Sequence, residues 1–104
     1  MMLQSEFNAR VHALASIVVI AAGFGLGIDR GEWLAVILAI TAVWTAEAFN
    51  TAIEALGDAV SREDHPGIGR AKDVAAGSVL LAALGAATIG AIVFGRRLIV
   101  LITS

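Results

Sequence analysis

Residues 74–95 read VAAGSVLLAALGAATIGAIVFG, twenty-two residues without a single Asp, Glu, Lys or Arg. At ~1.5 Å per helical residue this run reaches roughly 33 Å, enough to cross the ~30 Å hydrocarbon layer of a bilayer. Two further runs precede it. Val11 to Ile28 holds eighteen residues with no carboxylate, Lys or Arg, and Trp33 to Trp44 opens a third apolar stretch that continues through Ala46-Glu47-Ala48 toward Val60. None alternates with the period of a strand. A spanning segment must pair its own backbone polar groups, which leaves helices or closed barrels. The expectation is an all-α integral membrane protein with transmembrane helices at about 9–28, 33–60 and 72–95 and a loop at 61–71.

Composition points the same way. Of 104 residues, 59% are hydrophobic and 15% charged; a soluble chain of this length has too much surface to cover with so few charges. Cysteine is absent, which excludes disulfides, thiolate metal sites and thiol nucleophiles. A net charge of −2 without a basic tail gives no sign of a nucleic-acid partner. The first apolar run follows acidic Glu6 rather than a basic segment and ends in Gly27-Ile28-Asp29-Arg30, so it is read as a retained helix and not a cleaved signal. Arg10, Arg62, Arg70 and Lys72 fall on one side of the membrane and Arg30, Arg96 and Arg97 on the other. By a margin of one charge, the N-terminus and second loop are placed in the cytoplasm.

Gly31 is expected to make the tight turn between the first two helices, and Ser61–Gly69, with Pro66, the longer second loop. Trp33 is expected at the membrane interface. Gly23 with Gly27, and Ala82, Ala86 and Gly90, form small-residue rows that allow close helix packing. A three-helix bundle has little interior, which suggests a homo-oligomer.

The chemistry lies on the second helix. Glu47, Asn50, Glu54 and Asp58 are three, four and four residues apart, within an arc of roughly 80° on one helical face. A charged side chain at the centre of a helix in lipid costs ~2.5–3.5 kcal/mol even on the lenient scale. The stripe must therefore face a polar interior, another subunit or the cytoplasm. A solvated helix end would account for Asp58, and in part for Glu54, but not for Glu47 about three turns before the loop. Carboxylates withdrawn from water hold a proton more tightly and can take one from a hydroxyl, and carboxylate oxygens suit a magnesium ion that shares its shell with phosphates. His65, Arg70, Lys72 and Asp73 supply charge beside the third helix, where a helix N-terminus favours phosphate. No Walker A or G-x-G-x-x-G pattern is present. Taken alone, these residues also admit a small oligomeric proton or cation conductor lined by Glu47, Glu54 and Asp58, or a structural assembly factor.

Glu47-Ala-Phe-Asn50-Thr-Ala-Ile-Glu54, then Asp58, His65 and Gly69-Arg-Ala-Lys72-Asp73-Val-Ala-Ala-Gly, resembles the prokaryotic diacylglycerol kinase and undecaprenol kinase family, and the likeness extends upstream through Glu6-x-Asn8-x-Arg10-x-His12. The resemblance implies a single-domain, three-helix homotrimer in the bacterial inner membrane, with shared active sites facing the cytoplasm, that transfers the γ-phosphoryl of ATP to a lipid alcohol. It assigns Glu47 as general base with Asn50 as an essential polar neighbour, and Glu6 and Glu54 as Mg²⁺ ligands. Glu6, Glu54, Glu63, Asp64, His65, Lys72 and Asp73 match nucleotide-contacting positions. Asn8, Arg10, His12, Trp33 and Glu47 are assigned to the lipid substrate. Arg10-x-His12 favours undecaprenol over diacylglycerol, since the enterobacterial diacylglycerol kinases have an acid at the His12 position. Two departures stand out. The family usually carries an amphipathic surface helix before the Glu6 motif, where five residues stand here; the alternatives are a start further upstream, a trimmed sequence, or a protein that manages without the helix, with reduced activity as one outcome. Asp64 replaces a common aromatic, which alters the expected nucleotide contact.

Overall fold

The computed structural model describes residues 2–61, 63 and 65–103, with backbone alone for residues 2–7. It contains three helices, α1 (Met2–Leu26), α2 (Arg30–Val60) and α3 (Pro66–Thr103). All three are long and apolar enough to span a membrane. The helices overrun the expected spans: α1 begins earlier, and α3 extends from Pro66 to Thr103 rather than from 72 to 95. At 38 residues, α3 has a length of about 57 Å, which sets the 59 Å long axis of the chain.

The first turn is made by Gly27 and not by Gly31. Gly27 has φ 65°, a conformation that costs glycine nothing, and it ends α1 two residues before the expected boundary. The Ile28 N–H then donates to the Gly23 carbonyl at 3.2 Å, the six-to-one bond of a Schellman cap. Gly31 lies within the first turn of α2. Asp29 caps that helix: its carboxylate accepts from the Glu32 N–H at 2.8 Å, and the Glu32 carboxylate accepts from the Asp29 N–H at 3.0 Å, a complete capping box.

Gly23 and Gly27 are both used inside the chain. A Cβ on Gly23 would stand 2.7 Å from Trp33 Cη2, so the missing side chain is what lets the indole lie against α1. Trp33 also meets Phe24, with ring centroids 4.9 Å apart. Below this contact Ile28, Val36 and Val93 form a small buried core. Arg97 closes the same end of the molecule: its Nε donates to Glu32 Oε1 and Oε2 at 3.1 and 3.3 Å, and its Nη2 donates to both Glu32 and Asp29. This clasp ties α3 to the start of α2.

At the other end, α2 stops at Ser61, whose backbone is extended. Pro66 opens α3 in the first-turn position that tolerates a missing N–H, and His65 Nδ1 accepts from the N–H groups of Gly67 and Ile68 at 3.1 and 3.3 Å. Helices α2 and α3 pack along their length, while α1 touches them at fewer points. Large apolar side chains such as Leu14, Phe24, Leu38, Leu81 and Ile102 are exposed. Little of each span is buried within the chain, so lipid or other subunits must cover the rest.

Candidate functional site

The acidic stripe faces inward. Glu47 and Asn50 are only 6% and 8% exposed, buried although they sit on an otherwise apolar helix. Opposite them, α1 presents His12 and Ser16, one helical turn apart. His12 Nε2 is 3.4 Å from Glu47 Oε2. The Trp44 indole N–H, one turn before Glu47, donates to Ser16 Oγ at 3.1 Å, and that hydroxyl donates to the His12 carbonyl at 2.7 Å. The His12 and Trp44 rings meet edge to face with centroids 6.1 Å apart. Four side chains, two from each helix, thus fasten the site end of α1 to the middle of α2.

The remaining stripe residues divide by partner. Asp58 is more than a solvated helix end, because Lys72 Nζ lies 2.6 Å from its Oδ1. That pairing depends on α3 beginning at Pro66, which turns Lys72 toward α2. Gly57 permits the approach, since a Cβ there would stand 2.7 Å from Ile68 Cγ2. Glu54 is half-buried and has no cationic partner among the described residues. Asn50 Oδ1 is buried without a hydrogen-bond partner among the described residues, an arrangement that costs stability and is rare without a function.

Several other expected site residues lie near this end. Asn8 is half-buried, whereas Arg10, Glu63, His65 and Asp73 are exposed. Since Nδ1 of His65 caps α3, Nε2 remains available to a ligand. The Glu6 side chain and Asp64 lie outside the described residues. Trp33 is not brought to the cluster: it precedes Glu47 by fourteen residues on α2, about 21 Å along the axis.

Between α1 and the α2–α3 pair runs a cleft of about 200 Å³, starting at His12 and Ser16 and continuing past Val36, Ala39 and Val43 to Ala86, Gly90 and Phe94. Apart from His12 and Ser16 its walls are apolar. Two members of the small-residue row, Ala86 and Gly90, thus open a space that extends to His12, the partner of the buried carboxylate.

Among the described residues, no three metal-ligating side chains converge. The donors left open still suit magnesium in kind: the Glu54 carboxylate and the orphaned Asn50 amide oxygen stand one turn apart, both hard oxygen ligands.

Residues 1–94 match the family described as prokaryotic diacylglycerol kinase. The chain belongs to that family. Undecaprenol kinase of Bacillus subtilis (strain 168) is 35% identical to it over 95 residues, which cover 91% of this chain and 77% of that one. No solved structure matches. Family membership makes the chain a lipid kinase with membrane-spanning helices and replaces the conducting-pore reading, in keeping with two stripe carboxylates paired to basic side chains inside the chain. The matched region stops before Arg97, so the cation of the clasp lies outside it while Asp29 and Glu32 lie within. Sequence reasoning missed that clasp and the bracing pair Ser16 and Trp44; their signal was placement one turn from His12 and from Glu47.

Proposed function

We propose that residues 1–104 form one membrane-embedded kinase domain that phosphorylates the hydroxyl of a lipid alcohol, undecaprenol in preference to diacylglycerol, with ATP and Mg²⁺. The observation that carries this reading is the buried Glu47 carboxylate, 3.4 Å from His12 Nε2, with His12 at the end of an apolar cleft. A lipid's hydrocarbon can lie along the cleft walls while its hydroxyl meets Glu47. Glu47 takes the hydroxyl proton as the oxygen attacks the γ-phosphorus in line, the bond from that phosphorus to the bridging oxygen breaks, and ADP leaves. Asn50 holds the reacting groups beside Glu47. Lys72, His65 through Nε2, Glu63, Asp64 and Asp73 contact the nucleotide, and Asn8 and Arg10 the lipid headgroup. Trp33 is a neighbour of hydrocarbon tails only.

Glu6 and Glu54 would hold magnesium, which when bound neutralises charge on the phosphate oxygens. The preference for undecaprenol rests on the similarity to the Bacillus subtilis enzyme and on Arg10-x-His12. The active unit is a homotrimer in the bacterial inner membrane with its sites at the cytoplasmic face, supported by the large apolar surface that one chain leaves uncovered and by the distribution of basic residues.

The test uses purified protein in detergent with labelled ATP, Mg²⁺ and either lipid. Label should enter undecaprenol faster than diacylglycerol. Folded, trimeric protein that labels neither would overturn the reading. Glu47→Gln should keep ATP binding and lose transfer by ~10²–10⁴-fold, the usual contribution of acid–base catalysis.

A further inference from the structure

An ionised carboxylate buried among apolar side chains needs a partner of opposite or shareable charge. The α3 wall of the cleft that begins at His12 consists of Ala83, Ala86, Ile89, Gly90 and Phe94 and holds no group that can share a proton. Trp44, on its own helix, turns its N–H to Ser16. Among the described residues, the titratable group in contact with Glu47 is His12, 3.4 Å away.

Three features suit His12 to more than contact with a lipid headgroup. Its backbone carbonyl is held by Ser16 and its ring is flanked by Trp44, so the imidazole is braced by the same helix contact that positions Glu47. Its side chain is 20% exposed against 9% for that of Glu47, which puts it on the water side of the pair. Imidazole also has two ring nitrogens, so a proton taken up at one can be followed by loss from either.

We propose that His12 is the positioning and proton-relay partner of Glu47. It fixes the carboxylate toward the cleft, and after transfer it takes from Glu47 the proton that came from the lipid hydroxyl. The balance is complete: the hydroxyl O–H bond breaks, and the proton passes to Glu47 and then to the bare Nε2 of a His12 that carries its ring proton on Nδ1. The imidazolium so formed holds the restored carboxylate through Nε2–H until that proton is released to water. Glu47 returns to the ionised form with no external reagent beyond solvent. This role rests on the kinase reading and on Glu47 as its base.

His12→Gln keeps a hydrogen-bonding side chain of similar reach but cannot carry the proton. It should lower kcat by about 10- to 100-fold, less than loss of the base itself, with lipid KM within about threefold. The acid limb of the pH–rate profile should change shape, and His12→Asn should show the same pattern. A rise in lipid KM at unchanged kcat would make His12 a lipid contact and overturn the relay. A second arm needs no His12 variant. The chain has two histidines, so imidazole ¹⁵N resonances can be assigned through His65→Asn. At fixed pH, Glu47→Gln should move the His12 Nε2 resonance and leave that of His65 in place; an unmoved His12 signal also overturns the proposal. Failure of the kinase reading is a separate result, in which wild-type protein labels no lipid whatever the resonances do.

Discussion

Replacing Gly57 by alanine sets two effects against each other. Alanine is favoured over glycine in a helix by about 1 kcal/mol, so on propensity alone α2 should gain stability. The new methyl would, however, stand 2.7 Å from Ile68 Cγ2 and 3.1 Å from Lys72 Cε. The first distance is about 0.8 Å short of ordinary carbon contact at ~3.5 Å. Lys72 can swing its stem aside, but Cγ2 of Ile68 is attached to a branched Cβ with a stiff χ1. Either Ile68 leaves its rotamer, or the opening turns of α3 move outward. Overpacking of this kind costs ~1–3 kcal/mol, which leaves a net loss of about 0–2 kcal/mol after the propensity gain. The movement also draws Lys72 away from Asp58. Denaturant unfolding in detergent should therefore show a lower midpoint for Gly57→Ala, with a raised KM for ATP and a nearly unchanged KM for lipid. Adding Ile68→Ala should restore the ATP value by making room. The reasoning fails if Gly57→Ala is more stable than wild type by the full propensity gain and its KM for ATP is unchanged.

Glu54→Gln should raise the Mg²⁺ concentration needed for half-maximal rate; an unchanged metal requirement, read from a magnesium titration of the phosphorylation rate, would remove Glu54 from the ligand set. Asp58→Asn breaks a partly exposed ion pair, so its effect on unfolding should stay within ~1 kcal/mol, whereas Lys72→Met should raise the KM for ATP in steady-state assays. Arg97→Ala removes the contacts to Glu32 and Asp29 and should lower the unfolding midpoint while kcat is retained, because the clasp lies at the end of α2 away from Glu47. Ala86→Leu fills the cleft and should lower kcat/KM for the lipid without altering ATP binding, as measured by nucleotide competition.

The three helices were legible because their signal is local: long uncharged runs separated by short polar breaks. The inward face of Glu47, Asn50 and Glu54 followed from spacing and from the cost of charge in lipid. What escaped depended on register between helices. Arg97 and Glu32 are 65 residues apart in sequence, and nothing in either neighbourhood announces the other. Asp58 read as a helix end because Lys72 was placed where α3 was expected to begin; once Pro66 is the first residue of that helix, Lys72 faces α2. Proline marks a loop and a helix start equally well, and the His65 side-chain cap that decides between them is an uncommon one. The turn glycine was misassigned for a related reason. Both Gly27 and Gly31 flank the break, and only the capping box of Asp29 and Glu32 commits Gly31 to α2.

The cleft that begins at His12 is walled by helices whose outer surfaces carry exposed apolar side chains. An acceptor that reaches the carboxylate between α1 and its neighbours arrives sideways, without passing through water, so it is counted per unit area of membrane. In the proposed reaction ATP arrives in three dimensions and the lipid in two. Saturation by the acceptor is then a mole fraction rather than a molarity, and diluting the bilayer or micelle with inert amphiphile should slow the reaction at constant total lipid concentration.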